Sequence, residues 1–194
     1  TIARQHGSSG KEIGRQVALK LGIPFYYKEM SALAAQESGL DRVFISHLNR
    51  NAPKRLYNLY LSTKVVRLAV EAQHQIIQKI AENGSCVIVG RAADYVLRDH
   101  ENVVKIFIYA SKESRICRAM EVYGDTREEA EENIRRSDEA RAAYYHHISG
   151  MRWGDKANYD LMVDSSQGVS QATEEIVQYL TTRQAKEVSS AFSS

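Results

Sequence analysis

Apolar runs alternate along this chain with segments of helical periodicity, and this alternation limits the possible folds more than any other feature. The runs at 85–89 (SCVIV) and 103–110 (VVKIFIYA) are largely apolar and lack the strict alternation of a half-exposed strand. Such runs are typical of strands covered on both faces, as in parallel sheets. Because helical segments follow them, the sequence predicts an α/β fold with helices on both faces of a parallel sheet.

Two long helical stretches, 28–83 and 122–157, interrupt the regular alternation. Both lie between predicted strands, and insertions of this kind can form lobes that move over a site. The chain of 194 residues is long enough for one domain with a sizeable core. We therefore predict a single domain over residues 1–187 and a disordered tail over 188–194.

Composition narrows the classes of partner. A net charge of +2 gives no support for nucleic-acid binding, and no apolar run approaches the length of a membrane span. No signal peptide opens the sequence, and Cys86 and Cys117 are far apart and outside any C-x-x-C pair. We therefore predict reduced thiols, a cytoplasmic location and no membrane partner, and we leave the oligomeric state open.

The first predicted strand leads into a loop, GSSGK at 7–11, that a helix follows. Free backbone N–H groups and the helix dipole make such a junction a binding site for anions. A lysine next to a helix N-terminus is unfavourable unless an anion is present, so Lys11 indicates a phosphate site. A turn that merely needs its glycines is the alternative. The candidate phosphate-binding residues are Gly7, Ser8, Ser9, Gly10, Lys11 and Glu12.

The loop departs twice from the usual G-x-x-x-x-G-K-[ST] pattern. Gln5 stands at the position of the first glycine, and Glu12 replaces the hydroxyl residue after the lysine. That hydroxyl normally ligates Mg²⁺. The carboxylate of Glu12 could ligate the metal, or it could face away and stabilise the helix N-terminus. The spacing does not decide between these two roles.

Cationic side chains follow other predicted strands. Arg91 comes directly after Gly90 at the end of a strand, where ligands of open α/β sheets bind. Lys28 occupies the same rim after the second strand, and both are candidates to bind a ligand there. Arginine suits the binding of anions because the planar guanidinium is permanently charged.

Several segments together resemble the cytidylate kinase-like family of P-loop nucleoside monophosphate kinase relatives. They are RQHGSSGKEIGRQVALKLGIPFYYKEM, VIVGRAADYVL, VVKIFIYASKESRICRAM, IRRSDEARAAYY and YDLMVDSS. The most specific pieces are Gly90-Arg91, Asp138-x-x-Arg141 and Asp164-Ser165. The resemblance touches most of the chain from residue 1 to about 180.

The resemblance implies a three-layer P-loop fold with a five-stranded parallel sheet of order 2-3-1-4-5. The insertion at 28–83 would be the NMP-binding lobe and that at 122–157 the LID lobe. The implied reaction transfers phosphate from ATP to CMP or dCMP with Mg²⁺. Lys11 would bind ATP phosphates, and Arg91 the acceptor's phosphate, which Lys28 on the same rim is also a candidate to contact. Asp138 with Arg141 would orient the moving phosphoryl group and stabilise its charge.

The LID segment also departs from the family pattern. The family has a further arginine four residues before the aspartate, where this chain has Ile134. Arg135 is our candidate catalytic replacement, with Arg136 as the alternative. Glutamates four residues before each of them also fit ion pairs on a solvated helix face. The acceptor therefore stays open. The rival functions are a P-loop kinase for another small acceptor and a nucleotide-responsive binding module with weak catalysis.

Overall fold

The computed structural model describes residues 1–27, 29–38 and 63–191. In chain order its elements are β1 (Ile2–Arg4), α1 (Gly10–Leu21), β2 (Phe25–Tyr26), α2 (Glu29–Ser38), α3 (Lys64–Glu82), β3 (Val87–Ile88), α4 (Ala93–Val96), β4 (Ile106–Tyr109), α5 (Lys112–Tyr123), α6 (Arg127–Ser149), β5 (Leu161–Asp164) and α7 (Val169–Ala191). Short 3-10 turns at Lys156–Asn158 and Ser165–Gln167 flank β5. The predicted alternation of strands and helices is present.

The strands form two parallel sheets, one with the order β1-β4-β5 and one that pairs β2 with β3. β1 runs beside β4 from the pair Ile2–Ile106 to the pair Arg4–Ile108. One parallel bridge between Ile2 and Val89 links the two sheets. The prediction of one continuous five-stranded sheet is therefore wrong, because the strands form a sheet of three and a sheet of two. The predicted order 2-3-1-4-5 agrees with the neighbours, since the bridge places β3 beside β1.

The backbone after β3 explains why the two sheets meet over so short a length. Gly90, Arg91 and Ala92 follow each other with φ angles of 86°, 62° and 53°. Left-handed residues cannot continue a strand, so the pairing with β1 ends at once. The last link is the N–H of Gly90, which donates to the carbonyl of Ile2 at 2.9 Å.

Helices cover both faces of the strands. On one face α1 and α7 pack against β4 and β5, with Ile13, Ile108 and Ile176 fully buried. On the other face α2, α3 and α4 pack around Ile88 and Ile77. Each fully buried aliphatic side chain contributes about 1.5–3 kcal/mol to folding. The three-layer arrangement predicted from the buried strands is confirmed.

Local capping signals set the helix ends. The hydroxyls that cap α3, α5 and α6 belong to Thr63, Ser111 and Thr126. At α6 the glutamate three residues after the cap, Glu129, completes the predicted capping box. The last helix, α7, runs to Ala191 and so enters the predicted tail, because a helix propagates one hydrogen bond per residue once it has formed.

The structure describes only part of the two predicted lobes. Residues 39–62 of the first lobe lie outside the described residues, as do residues 192–194 of the tail. In the second lobe, α6 packs on α5 through a small apolar cluster that contains Ile134 and Ile116. Within the described ranges, no helix is both long enough and apolar enough to cross a membrane.

Candidate active site

The glycine-rich loop between β1 and α1 needs its glycines for two separate reasons. Gly7 has a φ of 78°, and a Cβ there would lie 2.7 Å from the carbonyl oxygen of Arg115. A Cβ on Gly10 would lie 2.5 Å from the Cβ of Arg4. The loop is therefore held against β1 on one side and against α5 on the other.

The start of α1 is open within the described chain. Ser9 occupies the cap position in a left-handed conformation, with a φ of 61°, and its side chain makes no capping hydrogen bond. The first backbone N–H groups of the helix are therefore available to an anion, unlike those of a capped helix.

Gln5 and Ser8 fix the loop to neighbouring strands. The side-chain oxygen of Gln5 accepts a hydrogen bond from the N–H of Ala110, just after β4. The Ser8 hydroxyl donates to the carbonyl of Gln5, and the Ser8 carbonyl lies 2.8 Å from the hydroxyl of Ser165, just after β5. Gln5, which replaces a glycine, thus anchors the loop through its own side chain.

Glu12 faces along its own helix. Its carboxylate accepts hydrogen bonds from Arg15 at 2.7 Å and from Gln16 at 2.9 Å. The hydrogen bond with Arg15 lowers the pKa of Glu12 below its usual value, and the bond with Gln16 lowers it further. In this conformation Glu12 stabilises the first turns of α1, which is one of the two roles that the spacing allowed; the role of metal ligand stays a prediction.

Lys11 lies on the opposite side of the helix start, beside an aromatic ring. Its ammonium is 5.5 Å from the ring centroid of Tyr27, and the guanidinium carbon of Arg4 is 5.5 Å from the same centroid. Among the residues that the structure describes, no carboxylate pairs with either cation. Two cations on one ring without a counter-charge favour the binding of an anion between them.

Asp138 connects the loop to α5 and α6. One carboxylate oxygen accepts from the backbone N–H of His6 at 2.7 Å and from Arg141 at 2.9 Å. The other oxygen accepts from Arg115 at 2.5 Å. Asp138 therefore holds α6 against the loop and positions Arg141.

Burial and like charge act on the groups around Asp138. Burial lowers the pKa of Arg141 to about 10, and the nearby charge of Arg4 lowers it further. Burial also lowers the pKa of His6 to about 4, with Arg141 as the next cause. The imidazole of His6 is therefore neutral at pH 7. The positive charge near Asp138 is that of Arg115 and Arg141.

Arg135 makes no hydrogen bond with this cluster among the described residues. It donates to Glu132 and Glu139 on the exposed side of α6, whereas Glu131, the partner that the spacing suggested, pairs with Lys112 and Arg127. Ile134, at the position of the missing arginine, is buried between α5 and α6. A charged side chain there would lose its hydration inside an apolar cluster.

Arg91 lies at the end of β3, as the sequence predicted. It and Ala92 are non-glycine residues in the left-handed region, which costs about 1–3 kcal/mol each and is concentrated at functional sites. The guanidinium of Arg91 donates to the buried hydroxyl of Ser31 on α2 at 2.9 Å. The other predicted acceptor contact, Lys28, lies outside the described residues.

The sequence reasoning missed Arg4 and Tyr27. Both stand at the carboxyl ends of strands, β1 and β2, which is the rule that led to Arg91. If the rule is applied to every predicted strand, it identifies Arg4 and Tyr27 from the sequence alone.

Two clefts adjoin the second lobe. One, of about 340 Å³, opens beside the loop and is lined by Gly7, Ser9, Arg118, Ser165, Ser166 and Gly168 among others. The other, of about 790 Å³, lies between α5 and α6, and its lining includes Arg115 and Asp138 beside the paired charges of Glu132 and Arg135. The smaller cleft is the one that adjoins the glycine-rich loop, through Gly7 and Ser9.

No group of three metal-ligating side chains occurs among the described residues. In the structure Arg15 and Gln16 engage the carboxylate of Glu12. The roles derived below are those of the cationic side chains and the loop.

Comparisons with known proteins agree with this geometry. The cytidylate kinase-like family matches residues 1–167. A cytidylate kinase of Pyrobaculum aerophilum is 25% identical over 170 residues, which are 85% of this chain and 82% of that enzyme. The crystal structure of an uncharacterized protein from Eubacterium ventriosum has a TM-score of 0.72 at 26% identity and covers 93% of this chain and 96% of its own. Since the family match spans most of its length, this chain belongs to the cytidylate kinase-like family.

Proposed function

We propose that this protein is a nucleotide kinase that transfers the γ-phosphate of ATP to a nucleoside monophosphate, CMP or dCMP. The observation that carries the proposal is that two features suited to anions lie on either side of the bridge between the two sheets. The first is the open start of α1 with Lys11, and the second is the strained turn with Arg91. Membership of the family supports the same reaction class.

ATP phosphates would lie on the N–H groups of the loop 7–11, with the ammonium of Lys11 on the terminal phosphates. The cleft beside the loop, lined by Arg118 and Ser166, would receive the rest of the nucleotide. Its volume of about 340 Å³ falls within the range of small-molecule sites. Mg²⁺ would enter with ATP and be held chiefly by its phosphates, as this ion commonly is in kinases.

Arg91 would hold the acceptor's phosphate, and Asp138 would hold Arg141 toward the moving group. Phosphoryl transfer needs alignment and charge stabilisation more than covalent help from the protein, and these side chains offer both. The predicted roles of Lys28 and Arg135 stay predictions, as does the cytoplasmic location.

The test measures ATP-dependent phosphorylation of a panel of nucleoside monophosphates, nucleosides and small hydroxy acids. We expect CMP or dCMP to be used, and Lys11→Ala to lose at least about 100-fold in kcat with its melting temperature kept, because one preorganised charge contact is worth that much. Lys20→Ala, a surface lysine at the far end of α1, is the matched control.

The same assay separates the rival functions. Turnover with a hydroxy acid or nucleoside alone would reassign the acceptor. ATP binding by calorimetry with no turnover of any acceptor would favour the nucleotide-responsive binding module. A protein that binds no ATP would contradict all three.

A further inference from the structure

The side chain of Arg4 follows a path that two glycines leave open. Arg4 ends β1, and its Cβ lies where a side chain on Gly10 would start. Its guanidinium lies where a Cβ on Gly90 would be, next to Arg91. The phosphate loop and the acceptor turn thus both lack a side chain on the side that faces Arg4. The backbone brings this arginine from the donor side of the site to the acceptor side.

The charge around Arg4 is not balanced within the described chain. Lys11 shares the ring of Tyr27 with it, and Arg141 is close enough for its charge to be felt. The carboxylate of Asp138 is already shared between Arg141 and Arg115. Like charges held together at a sheet edge repel each other, and an anion bound among them removes that repulsion.

A purely structural arginine in this protein has different surroundings. Arg98 also lies over a ring, 4.3 Å from the centroid of Tyr95, but it donates to the carbonyl of Tyr95 at 3.0 Å and pairs with Asp99 at 3.4 Å. Its donors are occupied by the protein. The guanidinium of Arg4 makes no hydrogen bond or ion pair with the residues that the structure describes, so its donors are free for a ligand.

We propose that Arg4 is a catalytic residue whose guanidinium donates hydrogen bonds to the phosphoryl group as it passes from the donor at Lys11 to the acceptor at Arg91. This inference rests on the proposed function. An acceptor phosphate oxygen forms the new bond to the γ-phosphorus while the bond from that phosphorus to the β–γ bridging oxygen breaks. Arg4 stays protonated throughout and supplies only hydrogen bonds and charge.

The proposed role of Arg4 also accounts for the absence of an arginine at Ile134. The family pattern places a second LID arginine there, and in this chain the position is buried between α5 and α6. Arg4 supplies a guanidinium from β1 instead of from the lobe. The charge that stabilises the transferred group then belongs to the rigid sheet, beside the loop that holds the donor.

The first experiment compares Arg4→Ala, Arg4→Lys and the control Arg98→Ala in the kinase assay. We expect Arg4→Ala to lower kcat about 100-fold or more while KM for ATP rises less than about tenfold, as for loss of a transition-state contact. Arg98→Ala should keep the turnover of the wild type.

Chemical rescue distinguishes catalysis from packing. In Arg4→Ala the Cβ beside Gly10 is kept and the space of the guanidinium at Gly90 is empty, so added guanidinium should restore part of the turnover of this variant and none in Lys11→Ala. A lowered melting temperature together with activity that guanidinium does not restore would show a structural role and overturn the inference. So would a kcat of Arg4→Ala within about threefold of the wild type.

Binding of inorganic tripolyphosphate, measured by calorimetry, tests Arg4 independently of turnover. We expect weaker binding in Arg4→Ala, by less than about tenfold as for the KM of ATP, and unchanged binding in Arg98→Ala. Unchanged binding in Arg4→Ala would overturn the inference whatever the wild type catalyses. Weaker binding in a protein that transfers no phosphate would overturn the proposed function and leave the anion contact of Arg4 standing.

Discussion

The two faces of α6 carry the same ion pair in opposite environments. Arg141 pairs with Asp138 at 2.9 Å and Arg135 pairs with Glu132 at 2.6 Å, each arginine three residues after its acid. The inner side chains are 22% and 18% exposed, and the outer ones 53% and 56%. Only the inner pair touches the glycine-rich loop, through the backbone of His6.

The environment of each ion pair changes the pKa of its arginine and the cost of breaking the pair. Burial lowers the pKa of Arg141 to about 10, whereas the hydrogen bond with Glu132 raises the pKa of Arg135. An exposed pair can break and be replaced by water at little cost, but a buried one holds charges that have lost their water. Identical sequence spacing therefore produces a fixed part of the site on one face and a solvated surface on the other.

The largest effect should come from breaking the inner pair. Asp138→Ala leaves Arg115 and Arg141 without their shared carboxylate, so we expect a loss of about 3–5 kcal/mol in the free energy of unfolding. Turnover should fall with it, since Arg141 loses its orientation. Urea denaturation and the kinase assay measure the two effects.

The matched control is Glu132→Ala, which breaks the outer pair at the same spacing. A stability loss in Glu132→Ala as large as that in Asp138→Ala would show that the two faces do not differ as described.

A smaller effect should appear on acidification, through His6 beside the inner pair. Because burial lowers the pKa of His6 from 6.5 to about 4, folding disfavours the protonated imidazole. The stability contributed by neutral His6 is therefore present above pH 6.5 and lost as the pH falls toward 4. We expect His6→Asn to have a flatter stability profile between those two pH values, measured by urea denaturation. Parallel profiles for the variant and the wild type would contradict this.

The smallest effect should come from Arg135→Gln. The guanidinium it removes is exposed and paired only on the surface, so we expect a melting temperature close to that of the wild type and turnover largely retained. Differential scanning calorimetry and the kinase assay are the measurements. A loss of turnover like that of Arg141→Gln would instead return Arg135 to the site.

Local signals in the sequence predicted the helices well. Thr126 and Glu129 define the start of α6 through bonds within four residues of each other, and buried apolar runs identified the strands. The strands are shorter than predicted, because strand length depends on which neighbour pairs with each residue. For the same reason the near-separation of the two sheets could not be inferred from composition.

Prediction of the site was uneven for a physical reason. Arg91 follows from its place at a strand end, which a sequence displays. The orientation of Glu12 depends on a side-chain rotamer that Arg15 and Gln16 select, and spacing does not contain that information. The inner and outer roles of Arg141 and Arg135 depend on the rotation of α6, which packing of Ile134 against α5 determines.

The single bridge between Ile2 and Val89 has a mechanical consequence. The donor-side residues Lys11 and Arg4 belong to the sheet of β1, and Arg91 belongs to the sheet of β3. Sliding one sheet against the other would break only this bridge, of which the hydrogen bond from Gly90 is a part, instead of a whole ladder. The distance between Arg4 and Arg91 can therefore be adjusted without breaking the strand pairing inside either sheet.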